Sequence, residues 1–203
     1  MTTSVTIEHF GAPGAPRVLL LHPWWGVTAA MRSWAEAIAA AGNEVLIPDL
    51  YDGALASTVA EAEAIKDAMD EGRAIERLEA LADDLSSTGP WSLVGFSMGA
   101  AYGCHLAGRG TAGPTSLVLF YGGWPPPGPC HARAVSLHVV DDDPYFTEDE
   151  RTATVAACTE AGTTVTVHRY AGVGHWFAEE GSPAYDQCAH HLALSRTLAD
   201  LGR

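Results

Sequence analysis

Residues 91–103 read WSLVGFSMGAAYG: six residues of strand-like sequence, a serine between two glycines, then a run of small residues with helical character. The centre of this stretch, Gly95-Phe96-Ser97-Met98-Gly99, is a G-x-S-x-G sequence placed between a predicted strand and a predicted helix. That context is a nucleophile elbow. The serine sits on a tight turn that projects its oxygen off the end of the sheet toward the helix N-terminus, and the flanking glycines leave room for backbones that cross there. Ser97 is therefore the candidate nucleophile.

Outward from the elbow, apolar runs of strand length alternate with stretches of helical periodicity, the pattern of a mostly parallel sheet covered by helices on both faces. Upstream, an opening strand at about 4–10 is followed by the turn-rich connector GAPGAP and the buried-strand run RVLLLHP at 17–23. These first two strands are expected to pair antiparallel. A helix is predicted from the N-cap Thr28 to Ala41, stopped by Gly42, then the strand NEVLIPDL at 43–50 and one acidic helical stretch over 59–85 whose charges read as a solvated face. Downstream, SLVLFYGG at 116–123 reads as strand and loop, and AVSLHVV at 134–140 as strand. Thr147 to Ala161 reads as helix, VTVHRY at 165–170 as strand, and 184–201 as a closing helix. No stretch is left over for a second domain or a lid. The expected fold class is α/β, a three-layer sandwich without a cap domain, in a single domain over 1–203.

A serine hydroxyl attacks a carbonyl at neutral pH only if an imidazole takes its proton. Of nine histidines, His9, His138 and His168 fall within predicted strands, His105 in the helix after the elbow, and His190 and His191 on the last helix. His175 stands apart, in the glycine-rich loop AGVGHWF after the last strand, where a parallel sheet presents its functional loops. The acid that orients it belongs on the loop after the preceding strand, where Asp141, Asp142 and Asp143 stand together. Three adjacent aspartates do not all point one way, and Asp143, directly before Pro144, is the choice. For the oxyanion hole, one backbone N–H comes from Met98. The second comes from the loop His22-Pro23-Trp24-Trp25-Gly26, in which Pro23 has no N–H and Trp24 is the better donor.

Composition narrows the class of partner. Eleven Lys and Arg stand against 25 Asp and Glu, a formal net charge of −14, which opposes binding to nucleic acid or to anionic membranes. The start, MTTSVTIEHF, has no basic, apolar signal pattern, and no apolar run is long enough to span a bilayer. Cys104, Cys130, Cys158 and Cys188 lie 26 to 30 residues apart with no CxxC pairing, unlike a zinc site or a secreted disulfide framework. A reduced, cytoplasmic setting is expected.

From Arg17 to the C-terminus the chain resembles the dienelactone hydrolase family of α/β-hydrolases, through its element order, the GFSMGA elbow, the DDPYF acid loop and the GVGHWF histidine loop. The resemblance implies a triad of Ser97, Asp143 and His175, with oxyanion N–H groups from Trp24 and Met98. Two features differ. The founding members carry a cysteine at the elbow and a glutamate in the loop after the third strand, where this chain has Ser97 and Pro23. They also hold a substrate carboxylate with arginines, one shortly after the histidine, where this chain reads Trp176-Phe177-Ala178-Glu179. The expected function is a serine esterase or lactonase acting through an acyl-enzyme on a small molecule, without metal or organic cofactor. Trp25, Trp124, Tyr145 and Trp176 are the expected substrate-binding aromatics. A catalytically silent ligand-binding protein of the same fold is the alternative, although a binder has no need of all three triad residues.

Overall fold

The computed structural model describes residues 6–110 and 113–202. Among these residues seven strands form one sheet in the order β1-β3-β2-β4-β5-β6-β7, in which only the β1–β3 pairing is antiparallel. The strands are β1 (Thr6–Phe10), β2 (Arg17–Leu21), β3 (Glu44–Asp49), β4 (Trp91–Phe96), β5 (Ser116–Phe120), β6 (Ala134–Val140) and β7 (Thr164–Tyr170). Between and after them run α1 (Ala29–Ala40), α2 (Val59–Ala68), α3 (Glu71–Thr88), α4 (Met98–Ala107), α5 (Glu148–Glu160) and α6 (Gln187–Leu201). No described helix is long and apolar enough to cross a membrane.

Side-chain alternation divides the core into two layers, because successive residues of a strand point to opposite faces. Val18 and Leu20 of β2, Val94 and Phe96 of β4, and Val118 and Phe120 of β5 face α1 and α6. Leu19, Leu21, Leu93, Leu117 and Leu119 face α3 and α4, with Ile65 of α2 and Cys158 of α5 on the same side. Strands buried on both faces read as unbroken apolar runs. This explains why RVLLL and SLVLF carry no polar alternation.

Three expectations are corrected or sharpened. The first two strands do not pair with each other: β3 lies between them and takes β1 antiparallel, with Phe10 opposite Val45. The connector 11–16 crosses the start of β3, where the Gly14 N–H donates to Glu44 Oε2 at 3.0 Å and the Glu44 N–H to Pro16 O at 3.0 Å. Six residues easily span the two inter-strand spacings of about 4.8 Å each that this route requires. Residues 4 and 5 of the expected opening strand lie outside the described residues. The single helical stretch expected over 59–85 is two helices. Thr58 and Glu61 close a capping box on α2, and Asp70 starts α3 anew by accepting the Arg73 N–H at 3.1 Å. Nor is that stretch only a solvated face, since Arg109 and His105 of the elbow side bind Glu79, with His105 Nε2 2.8 Å from its carboxylate.

Candidate active site

The elbow forms where β4 meets α4. Ser97 has φ +50° and ψ −111° and makes no side-chain cap to its own helix, so its hydroxyl is left to point away. A side chain in this left-handed region is strained, and the backbone holds it there with the Ser97 N–H donating to Phe120 O at 2.9 Å. A Cβ on Gly95 would lie 2.5 Å from Gly99 O, and one on Gly99 would strike the Leu21 carbonyl. Both glycines are therefore dictated by α4 crossing over β4 and the end of β2.

Two loops at the same end of the sheet complete a continuous chain of polar contacts. Ser97 Oγ lies 3.1 Å from His175 Nε2, and His175 Nδ1 lies 2.8 Å from both Asp143 Oδ1 and Oδ2. His175 and Asp143 are buried, whereas Asp141 and Asp142 are exposed. The selection among the three aspartates is made by a turn. Asp142 takes φ +49°, which turns the chain so that Asp143 points inward, where its Oδ1 also accepts the Tyr145 and Phe146 N–H groups at 2.9 and 3.1 Å. Asp141 points out toward Arg169.

The loop after β2 is held from beneath by His22. Its Nε2 accepts the Leu50 N–H at 3.1 Å, so Nδ1 carries the proton donated to Pro23 O at 2.8 Å. Burial keeps the ring neutral by lowering its proton affinity. Trp24 follows this anchor. Met98 is the first residue of α4, where an N–H has no intrahelical acceptor.

A cleft of about 490 Å³ opens above Ser97 and His175, walled by Trp24, Tyr121, Trp124, Tyr145 and Trp176. Of the expected aromatics, Trp124, Tyr145 and Trp176 line this cleft. Trp25 does not: it packs edge-on behind Trp176, ring centroids 5.0 Å apart, and faces a separate depression beside α1. Phe177, next to Trp176, is fully buried between Tyr121 and Tyr170. The cleft also holds ionic groups that the sequence reading missed, Lys66, Glu71 and Glu150. Lys66 Nζ is 3.3 Å from Glu71 Oε1, which also accepts the Tyr102 hydroxyl at 3.1 Å. Arg32 is engaged by Glu8 at 2.7 Å, and Arg133 is exposed at the start of β6.

Behind His175 lies a second polar pair. Tyr121, at φ +37°, sets its ring 4.8 Å from that of His175 and donates its hydroxyl to Glu179 Oε1 at 2.6 Å. Burial pushes the Glu179 carboxyl up to about 8, against the Tyr121 hydrogen bond that favours its ionised form. The carbonyl of neighbouring Ala178 accepts the Trp34 indole N–H at 2.8 Å and His190 Nδ1–H at 2.9 Å, which ties the histidine loop to α1 and α6. The sequence pattern marked Glu179 only as a position without a cation.

A mostly parallel sheet between helix layers, with an elbow at the end of its central strand, defines the class of this protein: an α/β hydrolase. The model of the dienelactone hydrolase family matches residues 6–203, and the chain belongs to that family. It is a hydrolase acting on ester bonds. It is similar to "Carboxymethylenebutenolidase 1" of Cupriavidus pinatubonensis, 28% identical over 91% of this chain and 84% of that protein. Among solved structures it resembles a dienelactone hydrolase-like promiscuous phosphotriesterase, P91, from metagenomic libraries (TM-score 0.78, 18% identity, 98% of each chain). It also resembles the dienelactone hydrolase of Anabaena variabilis (TM-score 0.66, 17% identity, 100% of this chain and 94% of that one). The likeness to these two is one of fold.

Proposed function

We propose that this protein is a serine esterase or lactonase that works through an acyl-enzyme. The observation that carries the reading is the unbroken line from Ser97 Oγ through His175 to Asp143, with contacts of 3.1 and 2.8 Å at the floor of an aromatic cleft. Ser97 Oγ attacks the carbonyl carbon as its proton passes to His175 Nε2. Asp143 holds the Nδ1–H and stabilises the imidazolium. The carbonyl oxygen becomes an oxyanion, met by the N–H groups of Met98 and Trp24. The intermediate collapses, the C–O bond to the alcohol breaks, and His175 returns its proton to the departing oxygen. Water, deprotonated by His175, then attacks the acyl-enzyme and releases the acid with Ser97 restored. No metal or organic cofactor enters any step.

The substrate is a small neutral ester or lactone with an apolar or aromatic group. The aromatic walls favour such groups. The one cation of the described lining, Lys66, is paired to Glu71, and Glu150 adds a further carboxylate. The likeness to a carboxymethylenebutenolidase makes a lactone ring a natural candidate, although the stretch after the histidine, Trp176-Phe177-Ala178-Glu179, holds no cation. The seven strands share one sheet, which supports a single domain. Three buried thiols among the four cysteines suit a reducing, cytoplasmic setting. The test is incubation with an organophosphonate ester followed by intact-mass measurement: one adduct on the wild-type chain, none on Ser97→Ala. An adduct that persists in Ser97→Ala would remove the serine mechanism, and absence from both would favour a silent binding protein.

A further inference from the structure

Among the described residues one group of side chains with metal-ligating atoms lies away from the cleft. His138 of β6 and His168 of β7 are register partners in a parallel ladder, so they stand side by side on the same face of the sheet. Asp200, in the last turn of α6, packs over that face. One ligand atom from each of the three lies within 4.8 Å of the others, with His168 Nε2 to Asp200 Oδ2 at 3.9 Å. We propose that His138, His168 and Asp200 bind one divalent cation of the zinc class between the sheet and α6, distinct from the catalytic cleft.

The second observation is an orphaned nitrogen. His138 is wholly buried, stacked on Phe120 at 4.3 Å and on Tyr170 at 5.7 Å. Its Nδ1 is 2.8 Å from the Tyr170 hydroxyl, while its Nε2 is buried without a hydrogen-bond partner. Buried polar atoms in folded proteins are almost always satisfied, and an exception points to a missing water or ion. An imidazole held at one nitrogen by a hydroxyl, with the other nitrogen open, is the arrangement of a metal ligand whose outer partner sets its tautomer. Thr197 Oγ1, one turn before Asp200 on α6, is also buried without a partner. On the carboxylate side, Ser136 donates its hydroxyl to Asp200 Oδ2 at 2.5 Å and fixes its orientation.

Two imidazoles and one carboxylate select zinc, cobalt or nickel over magnesium or calcium, which prefer oxygen ligands. Zinc bonds of about 2.0–2.1 Å hold tetrahedral ligands roughly 3.3 Å apart, so the present spacing needs to close by about 1 Å or somewhat more. Water supplies the remaining position. Arg196 lies 5.2 Å from the Tyr170 ring centroid, and its positive charge opposes a cation bound nearby. Because α6 follows directly from the histidine loop, an ion here would staple that helix to β6 and β7.

The experiment uses the full chain, stripped with a chelator and titrated with cobalt(II), then zinc(II). The expected result is one equivalent of cobalt with the visible absorption of a low-symmetry nitrogen and oxygen site, displaced by zinc at a Kd of about 10 μM or tighter, together with a raised melting temperature in zinc. His168→Ala and Asp200→Asn, both at part-exposed positions, are expected to weaken binding at least tenfold, while His191→Ala on the exposed side of α6 leaves it unchanged. Should His168→Ala fail to fold by circular dichroism, His168→Gln replaces it. No saturable cobalt spectrum, or an affinity unaltered in both variants, would overturn the site and leave a buried water as the occupant of the orphaned groups.

Discussion

At the scale of single residues, the strain at Ser97 and the turn at Asp142 do the same kind of work. Each places an ordinary residue in the left-handed region, and in each case the result is a side chain aimed at His175: Ser97's own, and that of Asp143, which follows Asp142. In the proposed mechanism the three residues act as a unit, so the losses on replacing them are not expected to be additive. Ser97→Ala and His175→Ala are each expected to lower kcat for an aryl ester by about 10⁴-fold or more with the melting temperature nearly unchanged, as read by steady-state kinetics and calorimetry. Asp143→Asn removes the charge that stabilises the imidazolium and should also cost orders of magnitude. Asp142→Asn leaves an exposed residue that tolerates positive φ, and its kcat should stay within about twofold of wild type. A crippled Asp142→Asn would mean that the acid loop is differently arranged in solution. Asp143 was legible from Pro144 after it; the left-handed turn that selects it was not.

At the scale of elements, the close crossing of α4 over β2 and the pinned histidine loop have measurable consequences. Gly99→Ala would push a methyl group against the Leu21 carbonyl and within 2.8 Å of His22 O, where backbone cannot yield cheaply. Its expected cost is about 3 kcal/mol or more, read as a lowered denaturant midpoint. In the histidine loop, the folded protein keeps the Glu179 proton up to about pH 8, while the unfolded chain releases it near 4.5. Between those values the unfolded state binds fewer protons, so this group's contribution to stability falls as pH rises from about 4.5 and stops falling above about 8. Glu179→Gln keeps an acceptor for the Tyr121 hydroxyl and removes the ionisation. The variant should therefore gain stability relative to wild type as pH rises from 5 to 9, by on the order of a few kcal/mol at the alkaline end. A stability difference that is flat with pH would show that Glu179 is already ionised in the folded protein. The break between α2 and α3 was available at Asp70, an N-cap residue inside an otherwise helical pattern, but helical periodicity on both sides concealed it.

At the scale of the whole molecule, cleft and overall charge act in the same direction. A formal charge of −14 and the carboxylates of Glu71 and Glu150 near the opening disfavour an anionic substrate. A neutral aryl ester is expected to exceed a matched ester with a terminal carboxylate by about tenfold or more in kcat/KM, a gap that narrows but survives at moderate salt. Equal turnover of the two would show that Lys66 leaves Glu71 to bind the substrate, and Lys66→Met would then abolish the carboxylate's turnover selectively. The amino-acid sequence by itself determined the layered α/β class, the elbow at Ser97, and the serine, aspartate, histidine order along the chain. These follow from local causes: continuous apolar runs of strand length between helix-periodic stretches, capping residues, and a turn that only glycines permit. Tertiary structure alone decided that β3 enters between β1 and β2, that Trp176 lines the cleft while Trp25 stands behind it, and that Lys66 reaches the opening. It also decided that Glu179 is buried against Tyr121, 58 residues away, and that His138, His168 and Asp200 meet beneath α6. Each depends on which distant segments share a face of the sheet, and no local pattern encodes that, because burial and charge pairing are properties of the packed layers rather than of any one strand or helix.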